Sequence, residues 1–126
     1  MSSALIYEGP IVAKPRMVKS DRWKKRSVVE RYWAFKDLIN LAAKNQNFTL
    51  GECFSVIFEI EMPKSWSQKK RDTMDGQPHK SRPDLDNLEK GICDCLLSED
   101  SGVWRITAEK RWAEKNRIII QNIDYA

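Results

Sequence analysis

Cys53-Phe-Ser-Val-Ile-Phe-Glu-Ile-Glu61 is a strongly apolar run of aromatic and β-branched residues, and Pro63 follows it. A run of this composition and length predicts a largely buried strand. Upstream of it, apolar residues recur at intervals of three and four: Val28, Tyr32, Phe35, Leu38, Ile39 and Ala42. This period predicts an amphipathic helix from Ser27 to about Ala43, with Ser27 and Glu30 as a capping-box start.

Further outward, residues 5–13 are predicted to form a first strand that Gly9-Pro10 interrupts. Residues 64–83 are rich in Lys, Ser, Asp and Gly and have no apolar period, which predicts a long exposed loop. A second helix is then predicted, with Asp86 as N-cap and Glu89 as third helical residue. Its buried face is marked by Leu88, Ile92, Cys95 and Leu96.

Two more strands are predicted near the end of the chain. Residues 103–112 alternate, and residues 117–123 form another apolar run. The pattern therefore predicts one small α+β domain over residues 1–126, with a mixed sheet of about four strands and two main helices. Trp33 and Trp104 fall within predicted elements, so we expect them to pack in the core.

The composition restricts where such a domain can work. The longest apolar runs have about four residues, whereas about 18 are needed to span a bilayer. The chain starts without a basic and apolar leader, so we expect a soluble cytoplasmic protein with no membrane partner. Cys53, Cys93 and Cys95 form no even framework and are expected to be buried free thiols.

Charge is distributed very unevenly along the chain. Residues 14–26 hold seven basic side chains against Asp21 alone, and residues 64–82 hold six against Asp72 and Asp75. Residues 84–100 instead hold six acids against Lys90 alone. Basic stretches interleaved with Trp23 and Trp66 favour a polyphosphate partner, although charge runs are often only solvated surface.

The acidic segment needs a separate explanation in a nucleic-acid-binding protein. Carboxylates close to phosphates repel them, so a cation is expected between the two. Asp84 and Asp86 are two residues apart after Pro83, and in extended backbone their side chains would converge. Once the helix starts, Asp86, Lys90 and Asp94 share one face.

Such a face suits Mg2+, which binds carboxylate oxygens and water. Asp84 and Asp86, joined by an acid from Glu99-Asp100, are the expected ligands, and Lys90 would stabilise charge on a phosphate. By itself, however, an acidic pair before a helix more often marks an N-cap.

Other kinds of site fit less well. Leu88 and Glu89 occupy positions where a calcium loop needs a polar residue and Gly. His79 is the only histidine, so a histidine cluster or a Ser-His-Asp triad cannot be built. Trp66, which lies in the basic loop, is the tryptophan with the best prospect of contacting DNA.

The run Arg82-Pro-Asp-Leu-Asp-Asn-Leu-Glu-Lys90, followed by Asp94-Cys-Leu96, Glu99-Asp100 and Lys110-Arg-Trp112, resembles the RusA family of Holliday junction resolvases. Members are often encoded by phages or prophages. The resemblance extends more loosely to Lys14-Pro-Arg16 and Met62-Pro-Lys-Ser-Trp66. In this chain the downstream acids are Glu99 and Asp100. Only Leu97 and Ser98 separate them from Asp94-Cys-Leu96.

The resemblance implies a small α+β homodimer that binds four-way DNA junctions and makes paired, symmetric cuts with Mg2+, in DNA recombination and repair. Mn2+ would be able to substitute. By matching positions, the metal-binding acids would be Asp84, Asp86 and Asp100, and the catalytic lysine Lys90. DNA would be bound by basic residues of segment 14–26, the basic arm, and of the loop 64–83: Lys14, Arg16, Lys24, Lys25, Lys69, Lys70, Arg71, Lys80 and Arg82. Two alternatives stay open, a non-catalytic junction-binding protein and a less selective branched-DNA nuclease.

Overall fold

The computed structural model describes residues 3–15 and 27–124, and its centre is a mixed sheet of four strands. The strands are β1 (Ala4–Glu8), β2 (Cys53–Glu61), β3 (Arg105–Ala113) and β4 (Arg117–Asn122). They lie in the order β1-β4-β2-β3. β2 pairs parallel with β3 and antiparallel with β4, and β4 pairs antiparallel with β1. The predicted α+β class with a mixed four-stranded sheet is confirmed.

Three helices accompany the sheet: α1 (Ser27–Asn45), α2 (Gln68–Met74) and α3 (Leu85–Leu96). α1 and α3 contact each other, and they also contact β1 and β3 respectively. Phe54, Val56 and Phe58 are buried at alternate positions of β2, so one face of the sheet supports the core. The core is completed from the helices by Tyr32, Phe35, Ile39, Leu88 and Ile92.

The first strand is shorter than the sequence predicts. It ends at Glu8, and the expected continuation through residue 13 is wrong. Gly9 has a φ of +154°, and Pro10 has no N–H to donate to a ladder. These two residues turn the chain out of the sheet, so residues 11–15 are free to run towards α3.

The prediction of a continuous loop over residues 64–83 is also wrong, because α2 interrupts it. The hydroxyl of Ser67 accepts a hydrogen bond from the N–H of Lys70 (3.2 Å), which caps the helix. None of the α2 residues is buried. A helix with no apolar face leaves no period in the sequence, and its cap was the available signal.

Two tryptophans predicted to pack in the core are largely at the surface. Trp33 is 42% exposed and Trp104 is 55% exposed. The buried stripe of α1 passes through Val29, Tyr32 and Phe35, beside Trp33, and Trp104 precedes the first residue of β3. The core prediction for these two residues is therefore wrong.

Cys53, Cys93 and Cys95 are buried free thiols, as predicted. Among the residues that the structure describes, no helix has both the length and the apolar character that crossing a membrane requires.

Candidate active site

The acidic pair Asp84 and Asp86 lies at the start of α3. Asp84, not Asp86, occupies the N-cap position, with extended backbone (φ −68°, ψ 140°). Asp86 lies in the first helical turn, so its prediction as N-cap is wrong. The prediction that both acids lie in extended backbone is wrong as well, because the helix begins at Leu85, between them.

The side chain of Asp84 does not do what a capping side chain does. It accepts no hydrogen bond from the first turn of α3, although the carbonyl oxygen of Asp84 accepts one from Leu88 (3.2 Å). Asp84 and Asp86 are both exposed. The capping interpretation of the acidic pair therefore fails at Asp84, whose carboxylate oxygens stay available to a ligand.

Asp84 borders a small hollow at the surface. The hollow has a volume of about 280 Å³ and is lined by Arg82, Pro83, Asp84 and Asn87. Arg82 and Asp84 thus border the same space, next to the first turn of a helix whose N–H groups favour anions. This combination can hold a phosphate group beside a cation.

Lys110 holds the loop that carries Asp84. Its ammonium, projecting from β3, donates hydrogen bonds of 2.7 Å to the carbonyl oxygens of Ser81 and Pro83. Bonds from a charged donor are stronger than those between neutral groups. Lys110 therefore fixes the loop on the sheet directly before the acidic pair. In the sequence, Lys110 belongs to the run that resembles the family, but no role could be predicted for it.

A third acid lies one turn along α3 from Asp86. Burial raises the pKa of Glu89, and the negative charge of Asp86 raises it further. Burial likewise raises the pKa of Cys93, with smaller contributions from Asp100 and Glu89. Asp86 thus acts electrostatically on Glu89, and Asp100 and Glu89 act on the buried Cys93. From the sequence, Glu89 was interpreted only as a capping residue. Its spacing of three from Asp86 indicates in addition that the two carboxylates are neighbours on the helix surface.

The assembly of a metal site is incomplete in one respect. Within residues 3–15 and 27–124, the structure gathers no group of three or more His, Cys, Asp or Glu side chains that could hold a metal ion. Mg2+ does not need such a cage, because one or two carboxylates, water and a substrate phosphate suffice. Asp84 and Asp86 offer hard, exposed oxygens of this kind, so the donor chemistry fits Mg2+.

Lys90 is exposed on α3, one turn after Asp86. The spacing of four places both residues on the same side of the helix. An ammonium there can approach a phosphate that is bound near the acids.

Asp94 does not share the role of the acids at the helix start. Tyr32 donates a hydrogen bond of 2.7 Å from its hydroxyl to one carboxylate oxygen, and the ammonium of Lys14 lies 3.3 Å from the other. Burial would raise the pKa of Asp94, but these two partners outweigh it and the pKa is lowered. Burial and the same hydrogen bond raise the pKa of Tyr32. Asp94 is a structural anchor, because Tyr32 and Lys14 engage its two carboxylate oxygens.

That anchor connects the basic arm to α3. The backbone N–H of Lys14 donates to the carbonyl oxygen of Asn87 (3.4 Å), and its ammonium pairs with Asp94. The chain therefore enters the basic arm at a point next to the acidic pair. Arg16, Lys24 and Lys25, which were predicted to bind DNA, lie outside the described residues.

The basic residues of the second block have different surroundings. Arg71 donates to the carbonyl oxygen of Pro63 and pairs with Glu114 (3.0 Å each), so it is engaged within the fold. The ammonium of Lys70 lies 4.2 Å from the ring centroid of Trp66. Lys69, Lys80 and Arg82 are exposed and can meet a polyanion.

Comparison with known proteins agrees with the motif. A protein-family model described as endodeoxyribonuclease RusA matches residues 8–122 of the 126-residue chain. No curated protein matches the chain. The matched range includes the acidic pair, Lys90, Asp100 and Lys110.

Proposed function

The chain belongs to the RusA family of endodeoxyribonucleases, and on that premise we propose that it resolves four-way DNA junctions by paired, symmetric cleavage of phosphodiester bonds. The observation that carries the proposal is the carboxylate of Asp84, which takes an N-cap position without capping and faces a hollow beside Arg82. This carboxylate makes no cap hydrogen bond to the helix. Its oxygens are therefore available to a ligand.

Mg2+, for which Mn2+ would be able to substitute, would be held by Asp84 and Asp86 together with water and the substrate phosphate. Asp100 as a third ligand stays a prediction of the family resemblance, because the described residues gather no group of three acids that could hold a metal ion. A divalent cation supplies a water of lowered pKa and neutralises charge on the phosphate. Arg82 binds and orients the phosphate, and Lys90 stabilises the negative charge that develops on it. Lys110 keeps Asp84 at the required place through Ser81 and Pro83.

The DNA would be positioned by the basic arm and by the exposed residues Lys69, Lys80 and Arg82. Contacts of this kind release counterions from the phosphate backbone, so binding should weaken steeply as salt rises. A homodimer is proposed because a two-fold enzyme suits the near two-fold symmetry of a four-way junction. We propose a role in DNA recombination and repair in the cytoplasm. A phage or prophage origin stays a prediction of the family resemblance.

Cleavage of labelled four-way, Y-form and linear duplex DNA, with and without Mg2+, tests the proposal. We expect cuts that depend on Mg2+ and fall at paired positions across the four-way junction. Cuts of similar rate in all branched substrates would favour a less selective nuclease. Binding of the junction without any cut would favour a non-catalytic binding protein.

The Asp86→Asn variant tests whether cleavage depends on the acidic pair. It should lose cleavage and keep, or tighten, junction binding, because a charge that repels phosphate is removed. Asp37→Asn is the matched control, since Asp37 is an exposed acid on α1. Mg2+-dependent cutting by Asp86→Asn at the rate of the control would reject the assignment.

A further inference from the structure

A groove beside the proposed active site has the features of a site for an unpaired base. It has a volume of about 390 Å³, and we call it the tryptophan groove. Its lining includes Trp66, Lys70, Pro78, Lys80, Ser81 and Trp112. Its volume lies in the range of small-ligand sites. Two indole rings in one open groove offer a stacking surface that the proposed hydrolysis does not use.

The two indoles lie next to each other at the surface. Their ring centroids are 4.8 Å apart, and the rings are inclined by 55°. Both side chains are only partly buried, so the rings keep accessible area. Flat aromatic surfaces of this kind bind nucleobases by stacking with little dependence on the base.

The charge of the groove matches a nucleotide. Among the described residues that line it, Lys70 and Lys80 are charged, and no acid takes part. The ammonium of Lys70 lies over the Trp66 ring, 4.2 Å from its centroid. It can therefore meet the phosphate of a nucleotide whose base lies against the indoles.

The groove is rigidly built. The N–H of Trp112 donates to the carbonyl oxygen of Gln77 (2.9 Å), and the N–H of Gly76 donates to the carbonyl oxygen of Trp112 (2.8 Å). Behind Trp112 lies His79, which is 5% exposed and has its ring centroid 4.2 Å from that of the indole. Backbone bonds and a buried ring thus hold Trp112 in place before any ligand arrives.

Ser81 connects the groove to the acidic pair. It lines the groove, and the Lys110 ammonium bonds to its carbonyl oxygen and to that of Pro83. Three residues of extended chain span at most about 11 Å, so Ser81 and Asp84 are close. A base in the groove would belong to a nucleotide near the phosphate at Asp84.

A base within a duplex presents its faces to its neighbours in the stack, so it cannot lie against the indoles. Branch points supply bases that can leave the stack at low cost. We propose that the tryptophan groove binds one unpaired base of a branched DNA strand next to the cleavage site, stacked on the indole of Trp66 with the inclined indole of Trp112 against its edge. This inference rests on the proposed function and explains how the enzyme would distinguish a branch point from plain duplex.

Equilibrium binding without divalent cations tests the groove separately from catalysis. The probes are a four-way junction with one unpaired thymine at the crossover and a linear duplex of equal length. Trp66→Ala should weaken binding of the junction roughly 5- to 100-fold and change duplex binding by less than about threefold. Trp66→Phe should restore most of the affinity, since it keeps an aromatic face.

Trp104→Ala is the matched control, because Trp104 is exposed at the other end of β3, about 26 Å along the strand from Trp112. It should leave both affinities unchanged. Equal loss for junction and duplex in Trp66→Ala, or no loss for either, would overturn the inference. Cleavage of the junction by the unaltered protein would still stand in that case, so the two proposals fail independently.

If the Trp66 variant does not fold, a measurement on the unaltered protein still tests the groove. The unpaired thymine is replaced by 2-aminopurine, whose fluorescence falls when it stacks on an aromatic ring. Quenching on binding supports the groove as a base site. Fluorescence that stays at the level of the free junction, under conditions where the junction is bound, overturns it.

Discussion

The ammonium of Lys110 lies 2.7 Å from the carbonyl oxygen of Pro83, the residue directly before Asp84. The same ammonium bonds to the carbonyl oxygen of Ser81 at 2.7 Å. The edge strand β3 thus determines where the first acid of the site can lie. Since Ser81 also lines the tryptophan groove, one lysine couples the groove and the acids.

Replacing this lysine should separate catalysis from binding. Lys110→Met keeps most of the stem but removes both charged hydrogen bonds, which should cost about 2 kcal/mol of unfolding free energy. We expect kcat for junction cleavage to fall at least tenfold, with a smaller change in junction affinity, because the loop before Asp84 loosens. Urea unfolding and single-turnover cleavage measure the two effects. Lys115→Met, at an exposed lysine between β3 and β4, is the control; equal kcat in both variants would refute the positioning role.

Asp94 should behave as a structural acid. Removing the hydroxyl in Tyr32→Phe should lower the unfolding free energy by about 1–2 kcal/mol, because the hydroxyl donates to Asp94 within a partly buried contact. Asp94→Asn should destabilise by a similar amount, and the double variant by less than the sum of the two. Cleavage at saturating DNA should persist in every folded variant. Loss of cleavage in a stable Asp94→Asn protein would show that Asp94 acts in catalysis.

His79 should make stability depend on pH near neutrality. Burial, and to a lesser extent the nearby Lys110, lower its pKa from the ordinary 6.5, so the folded protein holds the ring neutral. The unfolded chain binds the proton more readily. Stability is therefore fully present above about pH 6.5 and is lost as the pH falls through the lowered pKa of the folded state.

Urea midpoints measured between pH 8 and pH 5.5 check this dependence. His79→Phe keeps a ring against Trp112 and removes the titrating group, so its midpoint should change less over this range. The Nδ1 atom of His79 has no hydrogen-bond partner among the described residues, so the substitution breaks no bond there. Parallel curves for the two proteins would show that another group is responsible.

Strands and main helices could be predicted because burial leaves a period in the sequence. Cys53–Glu61 was predicted with its observed bounds, since both the apolar run and Pro63 mark them. Ser27–Asn45 was predicted to within two residues for a similar reason. α2 escaped because it buries nothing and depends on the Ser67 cap. The expectation that one domain spans residues 1–126 stays a prediction.

The site was predictable in its residue types and less so in its contacts. Asp84 and Asp86 stand out because acids are concentrated in a basic chain, but which of them takes the N-cap depends on where α3 starts. Asp94 and Lys110 are separated from their partners Tyr32 and Pro83 by 62 and 27 positions. Contacts between residues so far apart in the sequence form only when the chain folds, and they leave no local sequence pattern. The metal ligands and the dimer stay predictions.

Asp84→Asn provides the most direct test that the acid at the helix start acts on a ligand and not on the helix. Incubation of a synthetic mobile four-way junction with Mg2+ should give paired, symmetric incisions with the unaltered protein and none with Asp84→Asn. The variant should still bind the junction, and its unfolding free energy should change by less than about 0.5 kcal/mol, below the roughly 1 kcal/mol typical of a lost cap. Paired incisions by a folded Asp84→Asn protein at the unaltered rate would contradict the account.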